Sequence, residues 1–475
     1  MKRALSRKNI WENLPRPLKS VAGLALGVLP VPRILGKQFR NNMKFLEESQ
    51  WWSRTQFQAY QLKQVQQICT HAFEKSPFYR DHFFSADLKP SDIKKLSDIE
   101  RLPTINRDTI NAHLNRMLTV STKATNVDYI TTGGTGGVPL RFYIGAGRSH
   151  IEYPYLVSGW QRIGYQLGMP MAVVRGRVVP LDAYGLPHEY DPLLRHHYYS
   201  NFHMTEENMG RYLYHIRTLG SCYLHIYPSS ASNLARYMLR HTIKPIDNIK
   251  GILAESENVY PEQRQMVEEV FGCRYFSSYG HTEKLVAAAE CEKSTNYHVW
   301  PTYGFFELLD TDGAPVTSPG DRGEIVGTGF INQIVPFIRY RTGDYATYIG
   351  NKCEQCGREM PIIADIRGHN IQEHLVANDG SYITWSAVNV HDDTFDHVRQ
   401  FQFYQDTQGE AVLKVVPASA FREQDISAMQ VNLGHKFDGR LQFKVQIVET
   451  IALSNRGKAI FVDQHIPPQK GNHSE

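Results

Sequence analysis

A chain of 475 residues, 41% hydrophobic and 21% charged, has ordinary globular composition and room for more than one core, which excludes wholesale disorder. Six cysteines are too few for a disulfide scaffold, and no apolar run approaches the roughly 20 residues needed to span a bilayer. The net charge of +4 conceals an asymmetry: residues 1–44 hold ten Lys/Arg against one acid, leaving 42 basic and 47 acidic residues beyond them, so a basic body for nucleic acid is absent.

Residues 1–50 form a basic N-terminal segment around the short apolar stretch Val21–Leu29, which Pro30 and Pro32 interrupt. A secretory signal would need a small-residue cleavage site, and none follows. Two readings remain: a helix packed on the body, or peripheral contact of residues 1–44 with an anionic membrane, where each basic residue can contribute roughly 1 kcal/mol. Under either, removal of residues 1–44 is expected to spare the chemistry.

Gln58–Phe73 spaces Leu62, Val65, Ile68, Cys69, Ala72 and Phe73 by three and four, predicting a helix that Ser76-Pro77 stops. From Met171 short apolar strands alternate with helical stretches. Leu224–Tyr227 leads to a helix near Ser229, Gly251–Ala254 to a helix from Pro261, and Arg274–Ser277 returns as a strand. This alternation predicts a largely parallel sheet with covering helices. The turn-rich run Asp310–Arg322 separates Phe305–Leu309 from Gly323–Thr328 as a hairpin. Beyond Gly368 strands at Phe401–Tyr404, Ala411–Val416 and Phe443–Val448 accompany one helix near Asp425–Leu433, with a disordered tail at Pro467–Glu475. The boundary falls at Arg367–Gly368, giving units 1–50, 51–367 and 368–475.

Three strings carry chemistry. Thr131, Thr132, Gly133, Gly134, Thr135, Gly136 and Gly137 combine exposed backbone N–H groups with hydroxyl donors, as a polyphosphate cradle requires. Ser278-Tyr279-Gly280-His281-Thr282-Glu283 ends a predicted strand with an aromatic face, a hydroxyl and a carboxylate, able to stack a base, hold a phosphate and bind Mg²⁺. Arg339–Asp344 sets a carboxylate after a glycine turn, in position for two ribose hydroxyls. Singly, each is as well explained by a flexible turn, a core tyrosine or a solvated acid.

In order, the three strings resemble the adenylate-forming superfamily, most closely the phenylacetate–CoA ligase family and its capsule and O-antigen branch. His71–Arg80 and Cys356-Gly357-Arg358 add to the resemblance, which extends from about Trp51 to Gln464. It implies a large N-terminal α/β adenylation domain with a small mobile C-terminal α+β domain. It also implies that Thr131–Gly137 wraps the ATP phosphates, that Ser256 and Glu257 line the adenine and ribose side, and that Tyr279 stacks on adenine beside Gly280. Thr282 would touch the α-phosphate, Glu283 hold Mg²⁺ and Asp344 bind ribose. Lys458, in Ser454–Lys458, would be the catalytic lysine. Two positions depart from the family: Val138 stands where many relatives carry lysine, and His369 where they carry arginine after the hinge glycine. The second departure bears on acyl transfer more than on adenylation.

Cys353 and Cys356 form a C-x-x-C knuckle, half of a structural Zn²⁺ site, for which Cys291 and His298 are the best further ligands by the resemblance. Cys69, Cys222 and Cys273 read as packed thiols. His196, His197, His203, His215 and His225 lack a metal spacing. Tyr153, Tyr155, Trp160 and Tyr198 suit core packing or an acyl pocket.

The expected protein is a cytoplasmic ligase using ATP and Mg²⁺ on a carboxylic acid, with CoA, a carrier-protein phosphopantetheine or an amine as acceptor, in surface polysaccharide biosynthesis. The alternative is a nucleotide-binding assembly protein of a polysaccharide locus without catalysis; the presence of Glu283 and Lys458 favours the enzyme.

Overall fold

The computed structural model describes residues 29–124, 126–132, 140–177, 179–368, 374–384, 394–451 and 462–466, with Gly23 and Val388. Most of Val21–Leu29, the loop 133–139, His369, the string Ser454–Lys458 and the tail from Pro467 lie outside these residues.

The helix Arg54–Lys75 begins where Ser53 and Gln56 close a capping box and ends at Ser76, whose hydroxyl caps the next helix, Pro77–Ser85. Its apolar stripe, Val65, Ile68, Cys69 and Ala72, is buried against Phe83, Ile99 and Ile110. The preceding helix, Gly36–Ser49, packs on the helix Ser149–Trp160. Phe39 is 1% exposed, 5.7 Å from the ring of Tyr153, in a cluster with Trp160 and Tyr165. Residues 36–44 therefore contribute to a core, and their removal carries a packing cost.

Twenty strands are described. β1 (Val127–Thr132) and β2 (Leu140–Gly145) pair antiparallel on either side of residues 133–139. Twelve strands build the main sheet: β3 (Met171–Arg175), β4 (His188–Asp191), β5 (His196–Ser200), β6 (Cys222–Ile226), β7 (Ile249–Glu255), β8 (Tyr275–Gly280), β9 (Ala287–Glu290), β10 (Tyr297–Val299), β11 (Gly304–Leu309), β12 (Arg322–Gly329), β13 (Tyr340–Gly350) and β14 (Ile362–Arg367). Their order is β11-β12-β13-β14-β10-β9-β8-β7-β6-β3-β5-β4.

The sheet is mixed rather than largely parallel. β5, β3, β6, β7 and β8 run parallel, with helices Glu206–Arg217, Pro228–Arg240 and Pro261–Phe271 as crossovers. After Gly280 no helix intervenes before Arg367, and from β8 to β11 every pairing is antiparallel. Short connections can return a strand only in the opposite sense. The change of sense beside β8 opens a crevice at the carboxyl ends of β7 and β8, where open α/β sheets bind ligands.

β15 (His374–Val376) and β16 (Tyr382–Thr384) pair as a hairpin, and β17 (Val398–Thr407), β18 (Glu410–Pro417), β19 (Gln442–Ile447) and β20 (Val462–Gln464) form a sheet in the order β19-β18-β17-β20. The helix Glu423–Phe437 buries Met429, Leu433 and Phe437 in a core with Phe401, Phe403 and Leu413. Among the described residues no helix is long and apolar enough to cross a membrane.

Candidate active site

A cleft of about 850 Å³ opens at the carboxyl ends of β7 and β8. Ser256, Glu257, Tyr279, Gly280, Thr282, Glu283 and Asp344 all line it, so residues nearly 90 positions apart converge on one cavity. Ser256 follows β7 in left-handed backbone, φ 75°, an uncommon state for a serine, and its Oγ accepts a 2.8 Å hydrogen bond from Arg175 at the end of β3. Arg175 also pairs with Glu255 and stacks 4.7 Å from the Tyr227 ring centroid. Both oxygens of Glu257 accept from Ser229, one from its N–H at 2.8 Å and one from its hydroxyl at 3.0 Å, which sets a carboxylate at the start of the helix Pro228–Arg240.

The Arg339–Asp344 string is not a loop. It enters β13, and the left-handed residues Arg339 and Gly343 accompany a bulge against β12. The bulge aims Asp344 into the cleft, where its Oδ2 accepts a 2.8 Å hydrogen bond from the Tyr279 hydroxyl. Two residues drawn from separate strings thus meet directly. Arg339 turns the other way: it is buried, bridges Glu307, and donates to the carbonyls of Glu100 and Leu102 at 2.7 and 2.6 Å. The start of the string is structural and its end faces the cleft.

Glu283 is buried, and among the described residues nothing donates a hydrogen bond to its carboxylate. The His281 ring, whose pKa burial lowers, has its Nδ1 3.8 Å from the carboxylate, and its two ring nitrogens are without hydrogen-bond partners among the described residues. A desolvated carboxylate without a donor fits a hard divalent cation. Thr131 is not brought into the cleft: it is buried, with its hydroxyl 3.2 Å from Asp396 Oδ1. Thr132 ends β1, and Gly133, Gly134, Thr135, Gly136, Gly137 and Lys458 lie outside the described residues.

Arg107 and Arg175 line the cleft without having been singled out as ligands, and Arg367, the candidate to replace the cation absent at His369, lines it as well. The only signal for Arg175 is its place at the end of an apolar strand. Of the four aromatics considered for an acyl pocket, Tyr155 lines the cleft, whereas Tyr153, Trp160 and Tyr198 line a neighbouring cavity of about 340 Å³ that shares Leu156, Arg175 and Tyr227 with it.

Cys291, His298, Cys353 and Cys356 offer ligand atoms that all lie within 4.8 Å of one another. The Cys291 and Cys353 sulfurs are 3.9 Å apart, close to the ~3.8 Å that tetrahedral geometry sets for two thiolates about 2.3 Å from zinc. Three sulfurs and one imidazole therefore suit a closed tetrahedral site. Arg358 supports it, gripping Glu292 at 2.7 and 2.8 Å, reaching Gln50 at 3.0 Å and stacking on Trp51. Burial raises the Cys356 thiol, but hydrogen bonding to the Arg358 backbone and side chain outweighs it and the net shift is downward. Burial and the charges of Arg162 and Arg358 lower His298 to about 3, keeping it a neutral ligand.

A second cluster was not anticipated. His188, His197 and His215 also bring ring nitrogens within 4.8 Å of one another. Burial, then the neighbouring imidazoles, lower His188 to about 4 and His197 to about 3.

Comparison with known proteins agrees with this architecture. Residues 375–465 match the family described as the CapK C-terminal domain. The chain is 24% identical over 397 residues to Protein CapK of Staphylococcus aureus, covering 81% of this chain and 85% of CapK. It is 22% identical over 348 residues to the phenylacetate-coenzyme A ligase of Thermus thermophilus, covering 72% of this chain and 77% of that protein. Among solved structures, 2-hydroxyisobutyryl-CoA ligase in the postadenylation state with 2-HIB-AMP aligns over 87% of this chain and 92% of that one, with TM-score 0.56 and 20% identity, which establishes the shared fold. In fold, and in sequence over most of its length, the chain is similar to adenylate-forming CoA ligases, to CapK and to the phenylacetate–coenzyme A ligases, and two of the three strings meet in its cleft.

Proposed function

We propose that the protein adenylates a carboxylic acid with ATP and Mg²⁺ and then transfers the acyl group to coenzyme A. The observation that carries this reading is the convergence of Ser256, Glu257, Tyr279, Gly280, Thr282, Glu283 and Asp344 on one cleft of an adenylate-forming fold. In the first half-reaction a carboxylate oxygen attacks the α-phosphorus and pyrophosphate leaves. In the second the thiol sulfur attacks the acyl carbon and AMP leaves.

The chain's own residues divide this work. Tyr279 offers a ring face to adenine while its hydroxyl fixes the Asp344 carboxylate for the ribose. Thr282 supplies a hydroxyl to the α-phosphate. Glu283 is the side chain suited to hold Mg²⁺, which when bound neutralises charge on the phosphates. Residues 133–137 and Lys458 are proposed to stabilise the charge that develops on the leaving pyrophosphate. The cysteine cluster is proposed to hold a structural Zn²⁺ that ties the turn after β9 to the loop before β14. A role in surface polysaccharide assembly is supported by the likeness to CapK. A phosphopantetheine carrier or an amine are the other acceptors.

Pyrophosphate release measured over aryl, aliphatic and hydroxy acids, with and without coenzyme A, tests the proposal. One acid should give ATP-dependent release and a coenzyme A thioester. ATP binding with no release for any acid would instead favour a non-catalytic nucleotide-binding role.

A further inference from the structure

The outer edge of the main sheet carries a group of side chains that the cleft does not use. β4 is the edge strand and pairs antiparallel with β5, setting His188 opposite Tyr199. Alternation along β5 puts His197 on the same face as Tyr199, and that face is covered by the helix Glu206–Arg217, which carries His215 in its last turn. Three elements therefore each deliver one imidazole to one place.

The arrangement is close. His188 Nε2 lies 3.1 Å from His197 Nδ1, with the two rings stacked at 5.3 Å between centroids. The His215 ring is 4.6 Å from that of His188 and 5.7 Å from that of His197. The outward nitrogens face polar partners, as those of metal-binding imidazoles usually do, with a hydrogen bond at His215 and a nearby carboxylate at His188. His188 Nδ1 is 3.6 Å from Asp182 Oδ2, and His215 Nδ1 is 2.7 Å from the Tyr199 hydroxyl. Asp182 is itself fixed by the N–H groups of Tyr184 and Leu186, at 2.8 and 2.9 Å. Hydrogen bonding alone accounts for the His188–His197 contact. It does not account for a third imidazole brought to the same point, nor for a carboxylate and a phenol orienting two of them from behind.

We infer that His188, His197 and His215 bind a divalent transition metal ion of the zinc class, at a site separate from the cysteine cluster. Three neutral imidazoles and no thiolate make an N₃ site, which leaves a fourth position for water or an added ligand. Bound there, the ion fastens the edge strand β4 and its neighbour β5 to the crossover helix.

Cobalt(II) titration of full-length protein, purified without a metal-affinity column and stripped with chelator, tests the assignment. The Cys291→Ser/Cys353→Ser/Cys356→Ser variant serves as parent, removing the thiolates of the cysteine cluster. It should still bind one equivalent of cobalt, with visible d–d bands and no thiolate charge-transfer band. His197→Phe and, separately, His215→Gln should weaken that binding by about 100-fold or more, and Asp182→Asn by about 10-fold, the scale of an outer-shell partner. Circular dichroism establishes that each variant is folded before it is scored. A folded parent that takes up no cobalt, or histidine variants that bind it as tightly as the parent, would overturn the inference.

Discussion

Replacing Arg339 by methionine separates the part of the Arg339–Asp344 string that builds the fold from the part that faces the cleft. The guanidinium donates to Glu307 through Nε, at 3.2 Å to each oxygen, and through Nη2 at 2.8 Å. Nη1 reaches the carbonyls of Glu100 and Leu102. The two side chains are only 6% and 7% exposed, so water cannot replace what is lost. Arg339→Met leaves a buried carboxylate without its cation, at a cost of about 3–5 kcal/mol. That is a large share of the roughly 5–15 kcal/mol by which domains are stable. Burial raises Glu307 above the usual carboxylate range against the pull of Arg339, and loss of the arginine removes that opposing pull. With a denaturant slope near 3 kcal/mol/M, the urea midpoint followed by tryptophan fluorescence should fall by about 1–2 M. The double variant Arg339→Met/Glu307→Leu, which removes both charges, should regain most of it. Asp344→Asn, five residues on, should weaken ATP binding with little change in the midpoint. A single variant within about 1 kcal/mol of the parent, or a double variant no better than the single, would refute the reasoning.

Lys458→Ala should lower pyrophosphate release by ~10²–10⁴ while ATP still binds, because one charge partner of the transition state is gone; unchanged release would remove Lys458 from the mechanism. Protein purified without chelator should contain zinc that Cys353→Ser loses. If about 3 kcal/mol goes with it, the melting midpoint falls by about 6–12 °C, and zinc-free protein with all six thiols titrating freely would contradict the site. Deleting residues 1–28 should spare pyrophosphate release, whereas deleting residues 1–44 also removes buried Phe39, at about 3–5 kcal/mol. Equal melting of the two truncations would contradict the packing of that helix. Vesicle sedimentation at low salt reports on membrane contact of the basic segment in the same samples.

What could be read in the sequence was what repeats locally. The stripe at Val65, Ile68 and Ala72, Pro261 at a first helical position and the turn residues of Asp310–Arg322 each encode their element within a few residues. The mixed sense of the sheet was not legible, because β8 and β9 look alike as apolar runs and only the absence of a helix between them reverses the direction. The cleft residues were legible as strings, but not the division of labour inside one. Arg339 and Asp344 share a motif, and a bulge in β13 sends one to Glu307 and the other to Tyr279. The histidine cluster escaped because its spacing exists only in three dimensions. His188 and His197 meet across strand register and His215 arrives from a helix, so no interval along the chain announces them.

The pairing of β1 and β2 has a mechanical consequence. Arg141 on β2 donates to the carbonyls of Phe395 and Val398, at 2.5 and 2.7 Å, and Thr131 on β1 reaches Asp396 at 3.2 Å. Both arms that carry residues 133–139 are thereby moored to the segment leading into the C-terminal sheet. Under the proposed function, a C-terminal unit that moved between the two half-reactions would have to break and re-form these bonds. A nucleotide that draws the loop inward would pull on the same two arms. Cargo and hinge would then share one equilibrium, in which filling the phosphate seat and releasing the catch are reciprocal events.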